Sequence, residues 1–247
     1  MTKRLIGKGA IVTGGSGGIG AAIAEKLAAE GADVIVHYGS SADAAEAAVE
    51  RIKAAGGKAS AMQGDVRSVE ALTAFLGDAS AKLDSYDILI NNAGVATAAP
   101  IKDVVEKQFD KVFSINVKAV LFAMKHAAYH MADNGRIVNI ASSVTEFNNA
   151  GLGIYAASKH AVRGLTDVAA KELGERGITV NDLMPGPVEP GMFETAPKEH
   201  RDFAINSSPF KRLGTPQDVA DACAFLASDD SRWITGQHIL CNGGALI

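Results

Sequence analysis

The chain of 247 residues predicts an α/β fold, a single doubly wound parallel sheet with helices on both faces. Seven short runs of β-branched or aliphatic residues alternate with Ala-rich segments of helical periodicity. No linker, repeat or shift of composition divides the chain, and its length suits one large α/β domain spanning 1–247.

The first run, GAIVT at 9–13, leads through glycines into the helical AAIAEKLAAE, which stops at Gly31. DVIVHY at 33–38 follows, then ADAAEAAVERIKAAGG, where Gly56 closes the helix. KASAMQ at 58–63 and ALTAFLGDASAKL form the next pair. DILINN at 87–92 and RIVNIA at 136–141 bracket a helical stretch rich in Val, Phe, Ala and Leu. GIYAASKHAV opens a helix that ends before Gly177, and ITVNDL at 178–183 and HILC at 238–241 are the last strands. Glycine ends these helices because it enters the left-handed region without a Cβ penalty. Apolar strands joined through helices fit a parallel sheet covered on both faces. The stretch 185–212 breaks the rhythm with Pro185, Pro187, Pro190, Pro197 and Pro209. It is longer than an ordinary connector and is expected to be a substrate loop or lid at the carboxyl edge of the sheet, where such folds bind ligands.

The formal net charge is −4, and Lys and Arg are scattered. Neither a nucleic-acid surface nor a basic membrane helix is expected. No segment reaches the ~18 apolar residues of a membrane span, and MTKRLIGKGAIVTGG reaches its glycines before a signal-peptide core could form. The expected location is cytoplasmic. Cys223 and Cys241 lack CxxC spacing and read as reduced thiols. His126 and His130 have the spacing of a zinc pair, but no third ligand accompanies them, so no metal is expected.

Thr13-Gly14-Gly15-Ser16-Gly17-Gly18-Ile19-Gly20 stands between the first strand and its helix. Glycines let the backbone approach a pyrophosphate, and a helix N-terminus offers it N–H groups and partial positive charge. Two registers fit, Gly15, Gly17 and Gly20 or Gly14, Gly18 and Gly20. A carboxylate ending the second strand would hold the ribose 2′-hydroxyl of NAD. This strand instead ends His37-Tyr38-Gly39-Ser40-Ser41, with the next acid at Asp43. NADP(H) is favoured, its 2′-phosphate meeting Ser40, Ser41 and backbone N–H groups, with NAD(H) as the alternative.

Further polar residues fall at the same edge. Asp65 could accept from an adenine amino group or cap a helix. Asn91-Asn92-Ala93-Gly94 would let the backbone pass close to a ribose. Asn116 interrupts an apolar helix, where a buried amide needs partners, and could open it to hold a water. Tyr155 and Lys159 stand four residues apart, on one helical face, with Ser142 and Ser143 upstream. A free tyrosine has a pKa of about 10, and an adjacent cation lowers such a value by about 1–3 units. The pair could therefore protonate an alkoxide forming from a carbonyl.

Taken together, TGGSGGIG at 13–20, Asp65, NNAG at 91–94, Asn116, Ser142, YAASK at 155–159, PGPV at 185–188 and NGG at 242–244 resemble the short-chain dehydrogenase/reductase family. The likeness covers nearly the whole chain and is greatest to 3-oxoacyl-carrier-protein reductases and related carbonyl reductases. It implies a Rossmann-type sheet of seven strands in a homotetramer, otherwise a homodimer. Tyr155 would be the proton donor and acceptor, and Lys159 would bind the nicotinamide ribose and lower the Tyr155 pKa. Ser142, thirteen residues before Tyr155, would bond the substrate oxygen, with Ser143 as the alternative. Asn116 would position a water leading from Lys159 to solvent. The cofactor would lie on Gly14, Ser16, Gly18, Ile19, Gly20, Tyr38, Ser40, Ser41, Asp65, Val66, Asn92, Ala93, Gly94, Tyr155, Lys159, Pro185, Gly186 and Val188. One departure stands out: where the family often has a threonine for the nicotinamide carboxamide, this chain has Pro190. Backbone at Val188, or Thr195, would have to serve.

The expected activity is NAD(P)H-dependent interconversion of a carbonyl and a secondary alcohol. A non-catalytic dinucleotide sensor or scaffold is the alternative, though it could dispense with the acid–base residues. Enoyl reduction or sugar epimerisation fits less well, since three residues separate Tyr155 from Lys159 and no long C-terminal substrate domain follows. Met192, Phe193, Phe203, Ile205 and Phe210 suit the 185–212 segment to a hydrophobic ketone.

Overall fold

The sheet carries its ligand-binding edge where its strand order reverses. A computed structural model describes residues 3–191, 193, 194 and 196–245; Met192 and Thr195, assigned above to the lid and to carboxamide binding, lie outside the described residues. In chain order the elements are β1 (Gly9–Val12), α1 (Gly18–Ala29), β2 (Asp33–Tyr38), α2 (Ala42–Ala54), β3 (Lys58–Gln63), α3 (Val69–Ala81) and β4 (Ile88–Asn91). Then come α4 (Glu106–Phe113), a π-helical turn (Ser114–Lys118), α5 (Ala119–His130), β5 (Arg136–Ile140), α6 (Val144–Phe147) and α7 (Gly153–Glu172). The chain closes with β6 (Thr179–Pro185), α8 (Lys198–Ser207), α9 (Pro216–Leu226) and β7 (His238–Cys241). The seven strands are parallel in the order β3-β2-β1-β4-β5-β6-β7. β1 and β4 are adjacent while their onward connections run to opposite sides, which opens a crevice at their carboxyl ends.

Alternation along the strands builds two cores. Ala10 and Val12 of β1 face α1 and α9 with Ile23, Leu27, Val36, Ile90 and Val219. Ile11 faces the other way, with Leu72, Leu76, Leu89, Met124, Val162 and Val180. Each large aliphatic side chain so buried contributes about 1.5–3 kcal/mol. The predicted terminators Gly31, Gly56 and Gly177 all have positive φ, at 106°, 80° and 68°.

The excursion after β6 is rooted rather than free. Val188 bridges Gly214, Glu189 N–H donates to the Gly214 carbonyl at 2.9 Å, and Gly214 N–H donates to the Pro187 carbonyl at 3.0 Å. Arg201 of α8 forms a two-pronged ion pair with Glu189. Phe203 and Phe210 are exposed. At the far end Thr215 and Asp218 cap α9 reciprocally, with Pro216 in its first turn.

Candidate active site

The glycine loop owes its shape to its neighbours. Gly14 and Gly18 have φ of 64° and 52°, and a Cβ on Gly20 would stand 2.1 Å from the Gly14 carbonyl oxygen. These positions carry the demand for glycine in the Gly14, Gly18, Gly20 register. Gly17 differs: it is extended, and a Cβ there would meet no atom within 4 Å. It precedes α1, whose first turn has no acidic residue and no capping side chain. An open approach to free helix N–H groups fits a pyrophosphate.

Asn92 and Thr13 fasten this loop to β4. The Asn92 amide donates to the carbonyls of Thr13 and Gly14 at 3.1 and 2.9 Å. Thr13 Oγ1 accepts from the N–H groups of Asn92 and Ala93 at 3.0 and 3.1 Å. On the other side, buried His37 accepts from Gly14 N–H through Nδ1 at 3.0 Å and reaches the Gly64 carbonyl through Nε2 at 3.1 Å. Burial lowers the His37 pKa, so the neutral ring holds the loop.

At the end of β2, Tyr38 is partly buried and Gly39, Ser40 and Ser41 are exposed; the Ser41 side chain does not cap α2. Asp65 does not cap α3, a role taken by Ser68. Its carboxylate instead accepts from the backbone and guanidinium of Arg67 at 2.8–2.9 Å, which holds its pKa down to about 2. Val66 lines a small cavity with Thr13, Asn91 and Ala93. Ser16 and Ile19 lie partly exposed in the loop and first helical turn. Pro185 ends β6, its carbonyl accepting from Ser143 N–H at 3.0 Å, and Gly186 lies against Asn242. The bridge at residue 188 spends the groups of Pro187 and Glu189 and turns Val188's own amide to the opposite side.

The four catalytic candidates converge. Ser142 lies beside the Tyr155 phenol, near enough to favour its ionised form. Ser143 instead is buried at the start of α6. Lys159 Nζ lies 5.8 Å from the Tyr155 ring centroid and donates to the Ile140 carbonyl at 2.7 Å. Asn116 is buried in the π turn, a wide turn often found at functional sites. It exchanges two bonds of 2.9 Å with the backbone of Val95 and donates to Ser158 Oγ at 3.0 Å. Gly94 joins the two halves: a Cβ there would lie 3.4 Å from Asn116 Oδ1 and 3.6 Å from Lys159 Nζ. The electrostatics differ from the expectation that Lys159 would depress Tyr155. Burial raises the phenol and nearby Ser142 partly offsets it, while burial pushes Lys159 down to about 8.

Sequence reasoning passed over His37, Thr13 and Ser158 as partners. It also treated Asp182 as an ordinary strand residue. The rings of His126 and His130 lie 4.4 Å apart at a 37° tilt, and among the described residues no group of three potential ligands could hold a metal. No helix among them is long and apolar enough to cross a membrane.

The family model described as enoyl-(acyl carrier protein) reductase matches residues 14–245. With that match and the site geometry, the chain belongs to the short-chain dehydrogenase/reductase family of oxidoreductases. It is 42% identical over 245 residues to an uncharacterized oxidoreductase of Methylorubrum extorquens, covering 98% of this chain and 99% of the relative. It is 39% identical over 239 residues to a 3-oxoacyl-[acyl-carrier-protein] reductase of Staphylococcus epidermidis, covering 96% and 98%. Among solved structures it is similar to the angucycline C-6 ketoreductase LanV with bound NADP, at TM-score 0.94 and 38% identity over 100% of this chain and 98% of that one.

Proposed function

We propose that the protein is an NADP(H)-dependent carbonyl reductase in which Tyr155 is the general acid for reduction and the general base for the reverse reaction. The carrying observation is the grouping of Ser142 and Tyr155 beside the buried Lys159. Two hydroxyls on one spot can hold one carbonyl oxygen, Ser142 by orienting it and Tyr155 by supplying the proton. Such proton transfer contributes about 10²–10⁴ in rate. NADPH, when bound, supplies the hydride. Gly17, the first turn of α1, Ser40 and Ser41 would hold its phosphates, and Lys159 its nicotinamide ribose. Asn116 keeps the π turn open against Val95 and Ser158, a form suited to a water between Lys159 and solvent. The description of the family model concerns enoyl reduction, but neighbouring hydroxyls suit an oxygen that becomes an alkoxide, and the 3-oxoacyl and angucycline reductases named above act on ketones.

Tyr155→Phe tests this reading. Ketone-dependent NADPH oxidation should fall by about 10² or more while NADPH affinity, measured by fluorescence, stays near wild type. Activity retained within tenfold would refute the assignment.

A further inference from the structure

Among the described residues, four Asp, Lys or Arg side chains are buried. Asp87 pairs with Lys8 and Arg136 with Asp229, each at 3.0 Å. The other two, Lys159 and Asp182, have no such partner in contact. Asp182 meets a basic group only in His238, whose Nδ1 lies 2.7 Å from Oδ2. A buried charge without compensation is strongly unfavourable, so each of these needs a source of opposite charge.

The fold sets them in one layer. Asp182 Oδ1 accepts from Thr166 Oγ1 at 2.6 Å, and Thr166 also accepts from the Asn139 amide at 2.8 Å. Thr166 and Lys159 are seven residues apart, two turns along one face of α7. In the β5–β6 register Asn139 opposes Asp182, and Lys159 Nζ bonds the carbonyl of the next residue, Ile140. Ammonium and carboxylate therefore share the α7 face of the sheet, the ammonium at the end of β5 on its β4 side and the carboxylate on β6.

We propose that Asp182 is a positioning residue for Lys159, its buried carboxylate being the counter-charge that keeps the Lys159 ammonium charged in the dry interior beneath the site. The role of Lys159 rests on the carbonyl-reductase reading above, whereas its charge does not. Thr166 meets Asp182 from α7 and His238 meets it from β7, neutral Asn139 of β5 bonds Thr166, and Lys159 lies two turns from Thr166 on the same face of α7. The outer nitrogen of His238 lies 3.1 Å from Asp167 on α7. Its ring sits between two carboxylates. Burial acts against both charges, lowering Lys159 and raising Asp182, and each opposes that shift in the other.

The test is a lysine side-chain ¹⁵N NMR titration of the full chain and of Asp182→Asn, with Lys159→Met assigning the signal. Asparagine keeps the shape and can still accept from Thr166 and donate to His238. The Lys159 midpoint should fall by at least about half a pH unit in the variant. The alkaline limb of the kcat/KM profile for ketone reduction should move down with it. An unmoved midpoint in a natively folded variant overturns the proposal. So does activity lowered equally at every pH, the mark of a merely structural residue. If Tyr155→Phe had already refuted the carbonyl chemistry, the NMR midpoint would still decide the charge question. Should the asparagine variant fail to fold, Asp182→Ser carries the same expectation.

Discussion

Tyr155 in place is a weaker acid than in water, because burial outweighs the influence of nearby Ser142. That suits a donor that must keep its proton until charge develops on a substrate oxygen. His37 shows the same physics acting on the fold. Its Nδ1 accepts from Gly14 while Nε2 faces a carbonyl, an arrangement that one neutral tautomer satisfies and the imidazolium does not. Burial lowers its pKa below 6.5, so on acidification the unfolded chain takes up the proton first. Stability is therefore complete above the ordinary histidine value of about 6.5 and is lost as pH falls from there toward the lowered folded value. His126, pushed down to about 4 by burial beside His130, adds a loss of the same sign. The melting temperature should drop between about pH 7.5 and 5 and drop less steeply in His37→Gln. Equal slopes would remove His37 from this account.

At the scale of elements, the glycine loop separates two kinds of glycine. A Cβ on Gly20 would press to 2.1 Å on the Gly14 carbonyl and 2.4 Å on the Asn92 amide, atoms that fasten β1 to β4. Gly20→Ala should cost about 1–3 kcal/mol in urea unfolding and weaken NADPH binding. Gly17→Ala meets open space and should stay within about 0.5 kcal/mol of wild type, yet lose NADPH affinity tenfold or more because its methyl group fills the phosphate approach. If Gly17→Ala binds NADPH normally, the cradle has been placed wrongly. These elements were legible in uneven degree. β2, β3 and β7 coincide with their apolar runs, since strand pattern and turn residues agree there. The π turn was visible only through one incongruous residue, Asn116, because a wide turn has no periodicity of its own. α8 was hidden inside a proline-rich excursion, with Pro197 before its first residue. The Asp182–His238 contact joins residues 56 apart in sequence, and a lone acid in ITVNDL carries no local sign of its partner. The Tyr155–Lys159 spacing was plain, whereas the direction of the Tyr155 shift was not, since burial is a tertiary property.

For the molecule as a whole, β1 and β4 form the seam from which the two wings of the sheet extend, β2 and β3 on one side and β5, β6 and β7 on the other. A dinucleotide laid across that seam would touch the glycine loop and the end of β2 on one side and the Tyr155 site on the other, so binding should stabilise the chain as one unit. Ligand at a hundred times its Kd adds about 2.7 kcal/mol, or about 5–10 °C in melting temperature for a chain of this size. The missing carboxylate at the end of β2 predicts that NADPH raises the melting temperature more than NADH does. A tenfold tighter Kd corresponds to about 1.4 kcal/mol, a difference of about 3–5 °C. Gly39 offers the reversal, because a Cβ there meets open space and no positive φ forbids a side chain. Gly39→Asp would place an acid where a 2′-phosphate is repelled and a ribose hydroxyl held, so the thermal shifts should move toward NADH. Equal shifts with both cofactors in the wild type would end the NADP preference drawn from Ser40 and Ser41, and an unchanged order in Gly39→Asp would show that the end of β2 does not set it.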